Sequence, residues 1–115
     1  MKIKTHRHHD VPVMELSGTL EGGPDNLRIL GHVSRYAAKH DHELVMNLRK
    51  VKWITSTGLG ILMRARNRFL EHGGSLKLCE MNERSLSLLA ITRTRLLFDV
   101  YETEDDAVEA GRTVT

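Results

Sequence analysis

Three hydroxyl side chains in a row, those of Thr55, Ser56 and Thr57, come directly before Gly58. A hydroxyl at a helix start can accept a hydrogen bond from a free backbone N–H, which is worth ~1 kcal/mol, and we expect Ser56 or Thr57 to cap a helix in this way. A serine on an exposed turn can also be phosphorylated, which adds about −1.5 to −2 charges. The two interpretations are compatible, and both need this segment to lie between a strand and a helix.

Other chemistries of such a turn require motifs that this sequence lacks. A phosphate-binding loop needs a glycine-rich stretch followed by Lys-Ser/Thr, or a Rossmann glycine triplet, and neither is present. The Gly-x-Ser-x-Gly elbow of a hydrolase is also missing. Since no nucleophile–base pair is visible, we expect a non-enzymatic protein without a cofactor.

Histidine and cysteine are the remaining candidates for chemistry. His6 and His8 would share one face of a strand, but no Cys, Asp or Glu completes a recognisable ligand spacing beside them. We therefore expect solvated edge histidines and no metal site. The single cysteine, Cys79, cannot form an internal disulfide and fits a small, buried packing residue in a reducing compartment.

Two further side chains near the hydroxyl run are candidates for partner contacts. Trp53 comes two residues before Thr55 and is either a core anchor or an exposed hot spot at a docking turn. Arg64 belongs to a group of arginines that could attract an acidic partner. The other members of this group are Arg66, Arg68, Arg93 and Arg95.

Composition narrows the class of protein. The chain has 115 residues and a formal net charge of +2, which favours a single domain over residues 1–115. Residues 1–98 carry a net charge of +7 and residues 99–115 a net charge of −5. The basic residues are scattered and aromatic residues are few, so nucleic acid is not an expected partner.

No apolar run reaches the ~18 residues of a membrane span and no signal peptide is recognisable, so we expect a cytoplasmic protein with no membrane partner.

Hydrophobic periodicity predicts strands that alternate with helices. We expect strands at residues 2–7, 11–16, 43–48, 75–80 and 98–101. We expect helices at residues 27–40, 59–71 and 83–91 and after Thr103, with residues 50–58 as a connection. This order favours an α/β fold, in which a mixed central sheet of four to five strands has about four helices packed beside it.

Several segments follow one another in a recognisable order over residues 11–110. They are Leu16-Ser17-Gly18-Thr19-Leu20, the Val-Met-Asn-Leu strand, Ser56-Thr57-Gly58-Leu59-Gly60, Gly73-Gly74-Ser75-Leu76, the helix end from Leu88 to Thr94, and Leu97-Phe98-Asp99-Val100-Tyr101 before an acidic helix. As a set they resemble the STAS domain of bacterial anti-sigma factor antagonists, also called anti-anti-sigma factors.

The resemblance implies a regulatory binding module with an anti-sigma factor as its partner. In that family the partner is a serine kinase, which the unphosphorylated antagonist binds, and binding frees the sigma factor. Phosphorylation breaks the complex. Ser56 matches the family's phosphoacceptor, with Thr57 and Gly58 beside it. We expect these residues to contact the partner, together with Thr55, Trp53 and Arg64. We expect a monomer or a weak dimer.

Thr55 departs from the family pattern, because the family has an aspartate at this position. A carboxylate that would flank the phosphoacceptor is thereby lost. The alternative interpretation is a scaffold or adaptor domain that binds other STAS proteins or a transport complex without being phosphorylated.

Overall fold

The computed structural model describes residues 1–112. Its strands are β1 (Lys2–His8), β2 (Val11–Leu20), β3 (Glu43–Ile54), β4 (Ser75–Cys79) and β5 (Asp99–Tyr101). Its helices are α1 (Pro24–Ala38), α2 (Ser56–Glu71), α3 (Glu83–Ile91) and α4 (Glu104–Arg112), with a short 3-10 turn at Arg95–Leu97. The predicted α/β class is confirmed.

The five strands form one mixed sheet in the order β1-β2-β3-β4-β5. Only β1 and β2 are joined by a tight turn and run antiparallel, whereas β2, β3, β4 and β5 run parallel. Parallel neighbours need a crossover, and α1, α2 and α3 are the helices between successive parallel strands. The carboxyl ends of these strands therefore meet at one edge of the sheet.

Helices cover both faces of the sheet, which explains why its central strands are almost entirely apolar. The larger core packs α1, α2 and α3 against one face, with Met14, Met46, Leu62, Phe69 and Leu78 among its fully buried side chains. On the other face, Ala107 and Val108 of α4 pack against Val11, Val13, Val45 and Cys79. Among residues 1–112, no helix is both long and apolar enough to cross a membrane.

Besides the start of α2, three element boundaries differ from the sequence expectation by three residues or more. Strand β2 does not stop at Ser17-Gly18 but continues to Leu20, because Gly18 takes a φ of 115° beside a shift in register with β3. Helix α1 begins at Pro24 rather than at residue 27, since proline is suited to the first turn of a helix.

The third difference is the largest and concerns the segment that leads to the candidate site. Residues 50–54, expected to belong to a connection, are the second half of β3. Val51 and Ile54 are buried there while Lys50, Lys52 and Trp53 are exposed. These residues pair with the extension of β2, so the two long strands end side by side at Leu20 and Ile54.

Candidate functional site

The hydroxyl run lies at the carboxyl edge of the parallel strands, where ligands and partners of open α/β sheets commonly bind. Thr55 connects the end of β3 to the start of α2. Its backbone N–H donates a hydrogen bond of 2.9 Å to the carbonyl oxygen of Leu20 at the end of β2. The turn is thus tied to two neighbouring strands and not left as a free loop.

Thr55 is the N-cap of α2, so the expectation that Ser56 or Thr57 would cap it was wrong. The Oγ1 atom of Thr55 accepts a hydrogen bond of 3.1 Å from the N–H of Gly58. The same hydroxyl donates to the carbonyl oxygen of Leu20 at 3.3 Å. Because the helix starts one residue earlier than a cap at Ser56 would allow, Ser56 and Thr57 become its first two residues.

Ser56 is exposed at the first position of α2. Its hydroxyl makes no hydrogen bond to any other residue in the described range 1–112. The first turn of α2 contains no acidic residue, and its free N–H groups give this end of the helix a partial positive charge. A group with a negative charge on Ser56 would therefore be tolerated by the domain itself.

Gly58 sets the distance between α2 and the end of β2. A Cβ atom on Gly58 would lie 2.0 Å from the carbonyl oxygen of Leu20 and 2.5 Å from its carbonyl carbon. Both are backbone atoms, which cannot rotate away as a side chain could. The close approach of the helix N-terminus to the sheet thus depends on glycine at this position.

A second segment, residues 21–23, borders the turn. The Oδ1 atom of Asn26 accepts hydrogen bonds from the N–H groups of Glu21, at 2.6 Å, and Gly22, at 2.7 Å. Gly22 has a φ of +87°, and a Cβ there would lie 2.3 Å from Cγ2 of Thr57. Asn26 is buried and holds this loop against Thr57, a role that no local sequence pattern indicated.

Trp53 is an exposed side chain and not a core anchor, since 48% of its surface is accessible. The guanidinium carbon of Arg84 lies 4.3 Å from the centroid of its ring, a cation–π contact. Leu88 and Ile91 of α3 line the same shallow groove, and Ile91 is 80% exposed. An aromatic side chain next to exposed apolar residues is typical of an interaction hot spot.

Arg64 is exposed but does not belong to the turn. It lies eight residues after Ser56, which in an α-helix is about 12 Å along the axis and about 80° around it. The structure therefore brings Thr55, Ser56, Thr57 and Gly58 together, with Trp53 close by near the end of β3, and separates Arg64 from them.

The chain matches the model of a known protein family. The model of the STAS domain family matches residues 2–107, which is nearly the whole chain. The chain belongs to the STAS domain family. The resemblance carried by the segments of residues 11–110 is thereby confirmed.

Individual STAS proteins with similar sequences or structures carry related names. The anti-sigma F factor antagonist of Paenibacillus polymyxa is 20% identical over 108 residues, 94% of this chain and 92% of that protein. An anti-sigma factor antagonist from Mycobacterium paratuberculosis has a crystal structure that superposes with a TM-score of 0.81 at 23% identity, covering 96% of this chain and 93% of that one. The phosphorylated form of the Bacillus cell fate determinant SpoIIAA superposes with a TM-score of 0.70 at 14% identity, covering 95% and 98%. At these identities the structures show that the STAS fold is shared.

Proposed function

We propose that this STAS domain is an anti-sigma factor antagonist whose docking surface is the turn between β3 and α2. In its unphosphorylated form it binds an anti-sigma factor that is a serine kinase, and the sigma factor is released. The kinase then transfers the γ-phosphoryl group of its ATP to Oγ of Ser56; the hydroxyl proton goes to a base of the kinase and ADP leaves. The domain itself is a cytoplasmic, non-enzymatic switch.

One observation carries this proposal, namely that the hydroxyl of Ser56 is exposed at the first position of α2 and has no hydrogen-bond partner among residues 1–112. The hydroxyl of Thr55 already accepts a hydrogen bond from the N–H of Gly58 and donates one to the carbonyl oxygen of Leu20. Thr57 is exposed, yet its methyl group lies against the backbone of Gly22. Ser56 is therefore the member of the run that a kinase can reach without breaking an internal contact.

The charge of a phosphoserine explains how one modification can end an interaction. The positive end of the α2 dipole favours a negative group on Ser56, so the free domain keeps its fold. A protein partner packed over the same turn has to remove water from that dianion and gains no arranged counter-charge in return. Phosphorylation is therefore expected to weaken the complex without unfolding the antagonist.

The surroundings of Ser56 are suited to a protein partner. Trp53 and Ile91 provide exposed apolar surface beside the turn, and Arg84 adds a positive charge over the indole. An interface centred on such an aromatic anchor and surrounded by polar residues is typical of protein complexes. We propose that Trp53 contacts the partner at the centre of the interface and that Arg64, which lies farther along α2, contacts the partner at the rim of the interface.

Thr55 is compatible with this proposal because capping needs a hydrogen-bond acceptor and not a charge. Thr55 supplies that acceptor to Gly58, as an aspartate would. The loss of the carboxylate also removes a negative charge that would repel a phosphoryl group next to it. The turn is thus preorganised for phosphorylation in the absence of the family's aspartate.

The test is phosphorylation by anti-sigma serine kinases whose genes lie near the gene for this chain. Incubation with kinase and ATP should add one phosphate, found by intact mass and mapped to Ser56 by peptide sequencing. Ser56→Ala should abolish the reaction, while Thr57→Ala, which removes the neighbouring exposed hydroxyl, should leave it intact. In a binding assay, Ser56→Asp should bind the kinase at least several-fold more weakly than the wild type.

Two outcomes would contradict the proposed switch. A kinase that binds the folded domain tightly but leaves its mass unchanged would rule out regulated phosphorylation. Equal affinities of Ser56→Asp and the wild type would do the same. Either result would favour the adaptor interpretation, in which the turn binds another STAS protein or a transport complex at all times.

A further inference from the structure

Two histidines and a carboxylate meet on the face of the sheet opposite to α2. His6 and His8 are alternate residues of β1 and point to the face covered by α4. The Oε2 atom of Glu104, the first residue of α4, lies 3.1 Å from Nε2 of His6 and 2.6 Å from Nδ1 of His8. One ligand atom from each of the three residues lies within 4.8 Å of the others.

These atoms match the ligand preferences of zinc. Zinc binds imidazole nitrogen and carboxylate oxygen at about 2.0–2.2 Å, so two ligand atoms of a tetrahedral ion are roughly 3.3–3.5 Å apart. The three atoms, which all lie within 4.8 Å of one another, have a spacing of this order. We infer that His6, His8 and Glu104 bind a divalent cation of the zinc class, with water as the remaining ligand.

The outer contacts of the three ligands distinguish this cluster from solvated histidines. Nδ1 of His6 lies 3.6 Å from Oε2 of Glu15, and Nε2 of His8 lies 3.0 Å from Oδ1 of Asp105. The second oxygen of Glu104 accepts a hydrogen bond of 3.0 Å from Nδ2 of Asn47. Metal-binding histidines usually have a carboxylate or carbonyl at their other nitrogen, which orients the ring and fixes its tautomer.

The charge of the surrounding cavity also favours a cation. Its lining includes the carboxylates of Glu15, Glu80, Glu104 and Asp105, which outnumber the positive charge of Arg49. The cavity therefore presents an excess of carboxylate groups to a cation that binds between the two histidines and Glu104.

A bound cation would join the edge strand β1 to the first turn of α4. These elements are almost at opposite ends of the chain, since His8 and Glu104 are separated by 96 positions. The site lies away from the turn that carries Ser56 and uses none of its residues. It is thus independent of the proposed phosphorylation switch, and either can fail without the other.

Zinc titration of the tag-free, EDTA-treated protein tests the site. Isothermal calorimetry with Zn²⁺ alone should give one equivalent bound, and Zn²⁺ should raise the thermal midpoint of unfolding. His6→Gln together with His8→Gln should weaken binding by more than about 100-fold, and Asp105→Asn, which changes an outer contact, by about 10-fold. Co²⁺ bound in place of Zn²⁺ should give the visible absorption bands of a four-coordinate ion.

The matched control removes two exposed histidines elsewhere, His42→Gln together with His72→Gln, and should leave the affinity unchanged. Glu104→Gln keeps the shape of the side chain and one acceptor oxygen but removes the charge, so this variant provides the test if the histidine variant fails to fold. A wild-type protein that binds no Zn²⁺ at millimolar concentration would overturn the inference. So would a folded ligand variant that keeps wild-type affinity.

Discussion

Gly58 in the first turn of α2 lies directly against the backbone carbonyl of Leu20 at the end of β2. The N–H of Thr55 donates to the same carbonyl, and the hydroxyl of Thr55 connects it to the N–H of Gly58. One carbonyl group thus fixes the cap, the first turn of the helix and the distance of both from the sheet. The position of Ser56 follows from this arrangement.

Gly58→Ala should therefore destabilise the domain. Its new Cβ would overlap two backbone atoms, and overpacking of this kind costs about 1–3 kcal/mol or more. Urea unfolding at equilibrium measures the change. Gly60→Ala is the matched control, because a Cβ at residue 60 of the same helix meets no atom within 4 Å, and alanine should stabilise α2 by up to about 1 kcal/mol. Equal stability of the two variants would contradict the role given to Gly58.

Substitutions at Thr55 should show how much the capping hydrogen bond of this residue contributes to the stability of the domain. Thr55→Val removes the acceptor for the N–H of Gly58 and should cost about 1 kcal/mol in the free energy of unfolding. Thr55→Asp keeps the acceptor for that N–H but loses the donor to Leu20, so it should be destabilised less than Thr55→Val. Ser56→Ala should change stability by less than about 0.5 kcal/mol, since the hydroxyl has no partner within residues 1–112. A large effect of Ser56→Ala would instead assign the cap to Ser56.

Trp53→Ala should weaken the complex with the proposed anti-sigma partner while leaving the fold intact. Its ring is about half exposed, so truncation removes contact surface rather than core, and a hot-spot tryptophan is worth about 2 kcal/mol or more, roughly 30-fold in Kd. Surface plasmon resonance measures the loss. Leu70→Ala, which truncates an exposed apolar side chain near the far end of α2, is the control and should bind as the wild type does.

Cys79 should be inert in the native protein. Burial raises the pKa of its thiol to about 12, and the nearby carboxylates of Glu80 and Glu104 add to the effect. Since the thiolate is the reactive form, labelling by iodoacetamide at pH 8 should be slow and should become fast in urea. Labelling at the rate of a free thiol without denaturant would show that β4 opens under native conditions.

Glu104 should make the stability of the metal-free protein depend on pH in the acid range. Its pKa is lower in the folded state than the ordinary value of 4.5, so its contribution is present above that value and is lost as the pH falls through the lower, folded-state value. Glu104→Gln should be less stable than the wild type at pH 7, and the difference should shrink towards pH 3. Glu109→Gln, a substitution at an exposed position of α4, is the control and should not show this pH-dependent difference.

Local patterns in the sequence were sufficient for the element order and for the position of the hydroxyl run. Apolar runs and helical spacing predicted five strands and four helices, and Thr103 was correctly placed before the acidic first turn of α4, where its hydroxyl accepts from the N–H of Asp106. These features depend on neighbours a few residues away, which is the range that a sequence pattern describes. The sequence placed the N-cap of α2 one or two residues too late, at Ser56 or Thr57 instead of Thr55. The carbonyl of Leu20, 35 residues before Thr55, fixes Thr55 as the cap.

The sequence by itself thus determined the α/β class, the strand-to-helix turn that carries Ser56, and a resemblance to the STAS family. Only the tertiary structure decided that β3 extends to Ile54, that Trp53 is exposed, and that Glu104 joins His6 and His8. No acidic residue stands at a recognisable ligand spacing from the histidines in the sequence, and the carboxylate that joins them comes from a helix almost a hundred positions later. Such a contact depends on the order of the strands in the sheet and on the face that α4 covers. The spacing of neighbouring residues in the sequence determines neither of them.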